Sequence, residues 1–180
     1  MFARTQELLQ HLAASERTLM DAVDAVPIER RALAPANGGW SVANVLSHLA
    51  RTEGQIGAFL QRLLRTALAD GSLPTANDAS PVVPTLPAER LLDRGERLAA
   101  PEFALPDAAH DVAAALAALQ RARCRLREVL LAADGLDTRR LVRAHHVLGE
   151  LTFEQWIAFA GFHQQRHAAQ IRALAAAAPS

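Results

Sequence analysis

The chain has 180 residues, 51% hydrophobic and 21% charged, which supplies enough apolar material for a sizeable core and argues against global disorder. Nineteen basic side chains balance nineteen acidic ones, so there is no net positive field to gather nucleic acid or an anionic membrane surface. A single cysteine, Cys124, excludes an internal disulfide, and no apolar run reaches the length of a membrane span. Nothing at the N-terminus resembles a basic segment followed by an apolar run and a cleavage site, so a cytoplasmic protein is expected.

From Thr5 to about Val26, the residues Leu8, Leu9, Leu12, Leu19, Met20 and Val23 recur at helical spacing, and Pro27 supplies a stop; a first long helix is predicted. The turn region 34–39 follows, and Ser41 is placed to cap a second helix running to about Leu68, with His48 in its second turn. Residues 69–87 hold Pro74, Pro81, Pro84 and Pro87 among Gly71, Ser72, Asn77, Asp78 and Ser80, a composition for a long surface connection. A short helical stretch from Ala88 to about Leu98, then Pro101 and Pro106, leads into an alanine- and leucine-rich third long helix that stops near Asp134-Gly135. Residues 136–150, with His145-His146-Val147-Leu148-Gly149, read as irregular, and Thr152 with Gln155 offers a capping box for a fourth long helix. With no tyrosine and no alternating run long enough for a sheet, β-structure is not expected. The fold class predicted is all-α: one four-helix-bundle domain over 1–180, with 69–106 as a long crossover connection, carrying a short helix, between helices two and three.

His163 and His167 stand four residues apart in the last helix, so both imidazoles leave one face within reach of a single cation. On a wheel of roughly 100° per residue, Trp156, Phe159, Gln170 and Leu174 share that face, which therefore points inward. The same exercise on the second helix puts Ser41, Asn44, Thr52, Gln55 and Phe59 on the stripe of His48, a polar and apolar mixture suited to the floor and walls of a pocket. Three imidazoles around a divalent cation with an open position make a common catalytic arrangement, and zinc, nickel or ferrous iron all accept such ligands. Against this, a His-x3-His pair arises often by chance. His11 and His110 have no paired ligand and are read as surface or packing residues; His145 and His146, ahead of the last helix, are either supporting groups at a pocket mouth or plain loop residues, and the second reading is preferred. Cys124 is expected to be a half-buried filler, and the arginines of 121–127 a solvated helix face. Nothing distinguishes Glu53, Glu150 or Glu154 from solvated charges, and Ser47 projects away from His48. No phosphate-binding glycine loop, nucleophile elbow or paired-cysteine motif occurs, and no residue is assigned a catalytic role.

Three segments together carry a family resemblance: Trp40-Ser41 followed by Val45-Leu46-Ser47-His48-Leu49 and ending in Glu53; His145-x-Val147-Leu148-Gly149-Glu150-Leu151-Thr152; and Phe162-His163-Gln164-Gln165-Arg166-His167-Ala168-Ala169-Gln170-Ile171. Their order and separation resemble the DinB/YfiT-like superfamily, over most of the chain. The stretch Leu98-Ala99-Ala100-Pro101-Glu102 resembles the family's connection into its third helix. The resemblance implies an up-down-down-up four-helix bundle and a divalent metal held by His48, His163 and His167. It also implies, for some relatives, thiol S-transferase or isomerase activity with a low-molecular-weight thiol. Many relatives carry a proline after the histidine that precedes the last helix, where this chain has His146.

The leading expectation is thus a divalent-metal-binding protein acting as a metal-dependent hydrolase or thiol S-transferase on a small molecule. A non-catalytic small-ligand-binding or stress-associated protein is the alternative, and a dimerising bundle with core histidines is a third reading. Neither nucleic acid nor membrane is an expected partner; a homodimer is compatible with so much alanine and leucine, with no interface singled out.

Overall fold

The computed structural model describes residues 1–35, 38–93, 95, 102–106 and 111–176, with five helices and one two-stranded sheet among them. Helix α1 (Ala3–Asp24) buries Leu8, Leu12, Leu19 and Val23 on one stripe and ends ahead of Pro27. Helix α2 (Val42–Ala69) opens as its sequence directs: the Ser41 hydroxyl accepts from the Asn44 N–H, and the Asn44 carbonyl oxygen takes the Ser41 N–H. The short α3 (Ala88–Leu92) ends earlier than expected because Asp93 is extended. The remainder of that expected helix, at 94 and 96–98, lies outside the described residues. Helix α4 (Val112–Ala132) starts on the Asp111 carboxylate, which accepts from the N–H groups of Ala113 and Ala114. Helix α5 (Phe153–Ala176) carries the predicted capping box, with Thr152 N–H on Gln155 Oε1 at 3.0 Å and Gln155 N–H on Thr152 Oγ1 at 3.3 Å.

The segment read as irregular forms an antiparallel hairpin, β1 (Val142–His145) against β2 (Gly149–Thr152), with Val142 opposite Thr152 and His145 opposite Gly149. Two local devices make it. Gly149 has φ +76°, and the imidazole Nδ1 of His145 accepts from the N–H groups of Val147 (3.1 Å) and Leu148 (3.2 Å), satisfying the turn. Four-residue strands are too short to show a period against the background of the chain.

The proline-rich connection is pinned rather than free. Ala76 N–H donates to the Gly135 carbonyl and Asp137 N–H to the Pro74 carbonyl, both at 2.8 Å, and the Glu7 carboxylate accepts from Val82 and Val83. Its backbone donors thus find partners on α1 and beyond α4 where helix is forbidden.

Two apolar clusters give the helix directions. One gathers Leu8 and Leu12, the later turns of α2 and α4 (Leu60, Leu64, Leu126, Leu130) and the start of α5 (Phe153, Ile157). The other gathers Leu19 and Val23, the start of α2 (Val42, Val45, Leu46), Leu119, and Ala168 with Ile171. Helices α1 and α5 therefore run one way and α2 and α4 the other, which brings the His48 turn of α2 beside the later half of α5.

Candidate metal centre

His48 projects from the second turn of α2 across to α5, where its Nε2 lies 3.2 Å from His163 Nε2; His167 Nε2, one turn further, lies 3.1 Å from the same atom. All three ligand atoms fall within 4.8 Å of one another, and among the described residues no other group of three His, Cys, Asp or Glu side chains gathers this way. The far nitrogens decide the tautomers. His48 Nδ1 meets the Ala104 carbonyl at 2.7 Å and His167 Nδ1 meets Gln170 Oε1 at 2.8 Å. A carbonyl oxygen can only accept, so both Nδ1 atoms carry the proton and both Nε2 atoms present lone pairs. His163 Nδ1 is buried and has no hydrogen-bond partner among the described residues.

Burial lowers the pKa of His48, with the Ala104 hydrogen bond opposing it. Burial also holds His163 well below its usual value, reinforced by repulsion from His167 and His48. His48 and His163 are therefore neutral near pH 7, and the single proton of His163, placed on Nε2, can be donated to only one of the two facing lone pairs at a time. A cation can accept from all three nitrogens. The 3.1 and 3.2 Å separations lie within a few tenths of an ångström of the spacing that two bonds of about 2.0–2.1 Å at a tetrahedral angle produce. Neutral imidazoles with oriented back nitrogens are also the donors that zinc, nickel and ferrous iron accept. The residues present fit a divalent metal.

Rings surround the cluster. Trp40 packs on His48 at 4.8 Å between centroids, and Phe159 stacks on His163 at 5.4 Å with 19° between planes. Trp156 stands edge-on to Phe159 and to Phe59. Of the stripe read from the wheel, Phe59, Trp156, Phe159 and Gln170 all contribute near the centre, while Ser41 and Asn44 spend their polar groups on the helix cap.

Other expectations are corrected by burial. His145 is not a plain loop residue: it is 8% exposed, sits 4.5 Å from Phe159 and 5.2 Å from Trp156, and its pKa is pushed down to about 4 by burial and then by His146. His146 is exposed and stacks on it. Glu53 is not a solvated charge but fully buried; it accepts from Gln164 Nε2 at 2.8 Å and faces Arg123 Nε at 3.6 Å. Arg123 is the buried exception within the arginine-rich face and also reaches Glu16 at 3.3 Å, so one polar chain links α1, α2, α4 and α5. Glu154 is buried against Arg4 at 2.7 Å, and burial raises its pKa. Only Cys124 moves the other way, to an exposed position. His11 packs as expected, its Nε2 2.9 Å from the Ala158 carbonyl, and His110 lies outside the described residues. No spacing rule could have found Glu53 and Arg123, whose partners lie on other helices; Glu53 did stand inside the segment that carried the family resemblance.

No helix among the described residues is long and apolar enough to cross a membrane. Residues 11–171 match the family described as the DinB superfamily. A Bacillus subtilis (strain 168) protein described as "Uncharacterized protein YuaE" is 30% identical over 142 residues, covering 77% of this chain and 78% of the relative. No solved structure matches. With the family match spanning nearly the whole chain, the segments that carry the three histidines included, the chain belongs to the DinB superfamily.

Proposed function

We propose that the chain is one DinB-type domain over 1–180, a four-helix bundle whose connection 69–106 crosses between the second and third long helices, and that it works as a metal-dependent enzyme. His48, His163 and His167 hold a divalent cation (zinc, nickel or iron) on the seam between α2 and α5. The observation that carries this reading is the convergence of three Nε2 atoms, two of them with their Nδ1 protons committed to Ala104 and Gln170. When bound, such a cation lowers the pKa of a water or thiol at its open position, the chemistry of a hydrolase or of a thiol S-transferase using a low-molecular-weight thiol.

The chain's own groups do the rest. Ala104 and Gln170 fix the two ring orientations, so that the donor set is formed before ligand arrives. Trp40, Phe159 and Trp156 exclude water from the rings and lower the local polarity, which strengthens every charge interaction at the centre. The balanced net charge and the rings favour a small-molecule substrate over nucleic acid or a membrane.

Elemental analysis of protein purified without a histidine tag tests the reading. A stoichiometric divalent metal is expected in the wild type and its loss in His163→Ala. Metal content unchanged by that substitution, or no metal under any loading condition, would sink the proposal.

A further inference from the structure

Beside the three histidines runs a wall of rings that differs from the core around it. Phe59, Trp156, Phe159 and His145 are 7%, 8%, 6% and 8% exposed, whereas neighbouring Leu60, Phe153 and Ile157 are at 0%. Each of the four therefore keeps a small exposed fraction where those neighbours keep none. At the rim stands Arg143 on β1, exposed, with its guanidinium carbon 4.8 Å from the centre of the Phe59 ring. Its backbone is fixed as well, because Trp156 Nε1 donates to the Arg143 carbonyl at 3.0 Å. Among the described residues no carboxylate pairs with Arg143, so its guanidinium is left without a counter-charge beside the ring.

Two further polar atoms lie unspent along the same wall. Thr52 is one turn beyond His48 on α2, towards Phe59, and its buried Oγ1 has no hydrogen-bond partner among the described residues. His145 uses Nδ1 as a double acceptor from the turn, so its proton sits on Nε2 and the ring presents a donor. A guanidinium without a counter-charge at the edge of the wall, flat apolar rings and donors beside them are complementary to one class of molecule.

We infer that this wall lines a slot that takes small organic anions, a flat apolar body bearing a carboxylate, with Arg143 gripping the carboxylate at the rim and the body lying on Phe59, Trp156 and Phe159 towards the histidines. Arg suits that task because its planar fork binds a carboxylate through paired hydrogen bonds while its face remains on a ring. The inference deepens the enzymatic reading by naming its substrate class, and it rests on that reading for what happens at the inner end of the slot.

Benzoate and its neutral counterpart benzamide are the probes, titrated into full-length, chelator-treated protein while the Trp156 indole N–H resonance is followed. The wild type is expected to bind benzoate about tenfold more tightly than benzamide, Arg143→Gln to bind both alike, and Arg143→Lys to keep most of the preference. Benzoate affinity unchanged in Arg143→Gln, or a Trp156 resonance that benzoate does not move, overturns the inference; an arginine that merely shields Phe59 would give the first result. Because the titration is metal-free, it separates the two proposals. Absent metal with a benzoate preference removes only the metal centre, and bound metal without the preference removes only the slot.

Discussion

Glu53 and His145 are both buried ionisable groups, and burial makes them oppose each other in the pH dependence of folding. The Glu53 carboxyl is raised from 4.5 to about 7, chiefly by desolvation, with Arg123 and Gln164 pulling the other way. The unfolded chain ionises this group first, so Glu53 costs nothing at low pH, and its penalty accumulates as pH rises from about 4.5 to about 7, reaching about 3 kcal/mol. His145 has the reverse sign. Its folded pKa is lowered from 6.5 to about 4, so the stability it permits is complete above pH 6.5 and is lost as pH falls towards 4. Buried His48 and His163, both shifted down, add to that acid limb. Glu53→Gln keeps an oxygen for Gln164 and removes the charge. Urea titrations at pH 4.5 and 7.5 should show the variant gaining on the wild type by about 3 kcal/mol across that interval; a constant difference would contradict the burial argument. Neither group declares itself in the sequence. A lone glutamate on a helix reads as solvated because its buried partners come from α4 and α5, and His145 reads as a loop residue because its core neighbours come from α5.

Within the elements, α1 and α5 meet closely enough that one glycine decides their spacing. A Cβ on Gly161 would lie 2.2 Å from His11 Nε2, the atom that contacts the Ala158 carbonyl. Gly161→Ala gains about 1 kcal/mol of helix propensity and loses roughly 1–3 kcal/mol to overpacking, for a net loss. In a His11→Ala background the clash is gone, and the same substitution should stabilise by roughly 0.5–1 kcal/mol. Denaturant midpoints of the four proteins in that cycle would show the change of sign, and a destabilising effect in both backgrounds would refute it. The start of α5 was legible, since a capping box needs only Thr152 and Gln155 at the right spacing. Thr152→Ala should cost about 1 kcal/mol in the same measurement. The hairpin ahead of it was not legible, because its turn is satisfied by a histidine ring and its strands span four residues each.

Across the whole molecule the proposed cation would tie α2 to α5, so metal binding should register as global stability. At a free metal concentration 1,000 times Kd the gain is about 4 kcal/mol, or roughly 8–16 °C in Tm for a chain of this size. Calorimetry with and without metal should show this shift in the wild type and its absence in His163→Ala. The four long helices and the His163–His167 pair were readable because a 3.6-residue period and an i, i+4 pair are local signals, whereas His48 joined them only through its helix stripe and the family resemblance. The polar chain through Glu16, Arg123, Glu53 and Gln164 joins four helices and has no local signal. Nor has the carbonyl of Ala104, carried by the short 3-10 turn Glu102–Ala104 at the far end of the connection and set on the back of His48. That last contact separates the proposed ligands by how they can drift in evolution. The basicity of His167 can be retuned by one codon, by changing Gln170. That of His48 answers to a main-chain oxygen, which no substitution at position 104 alone removes, so insertions and deletions in the connection become the route by which this ligand's affinity changes.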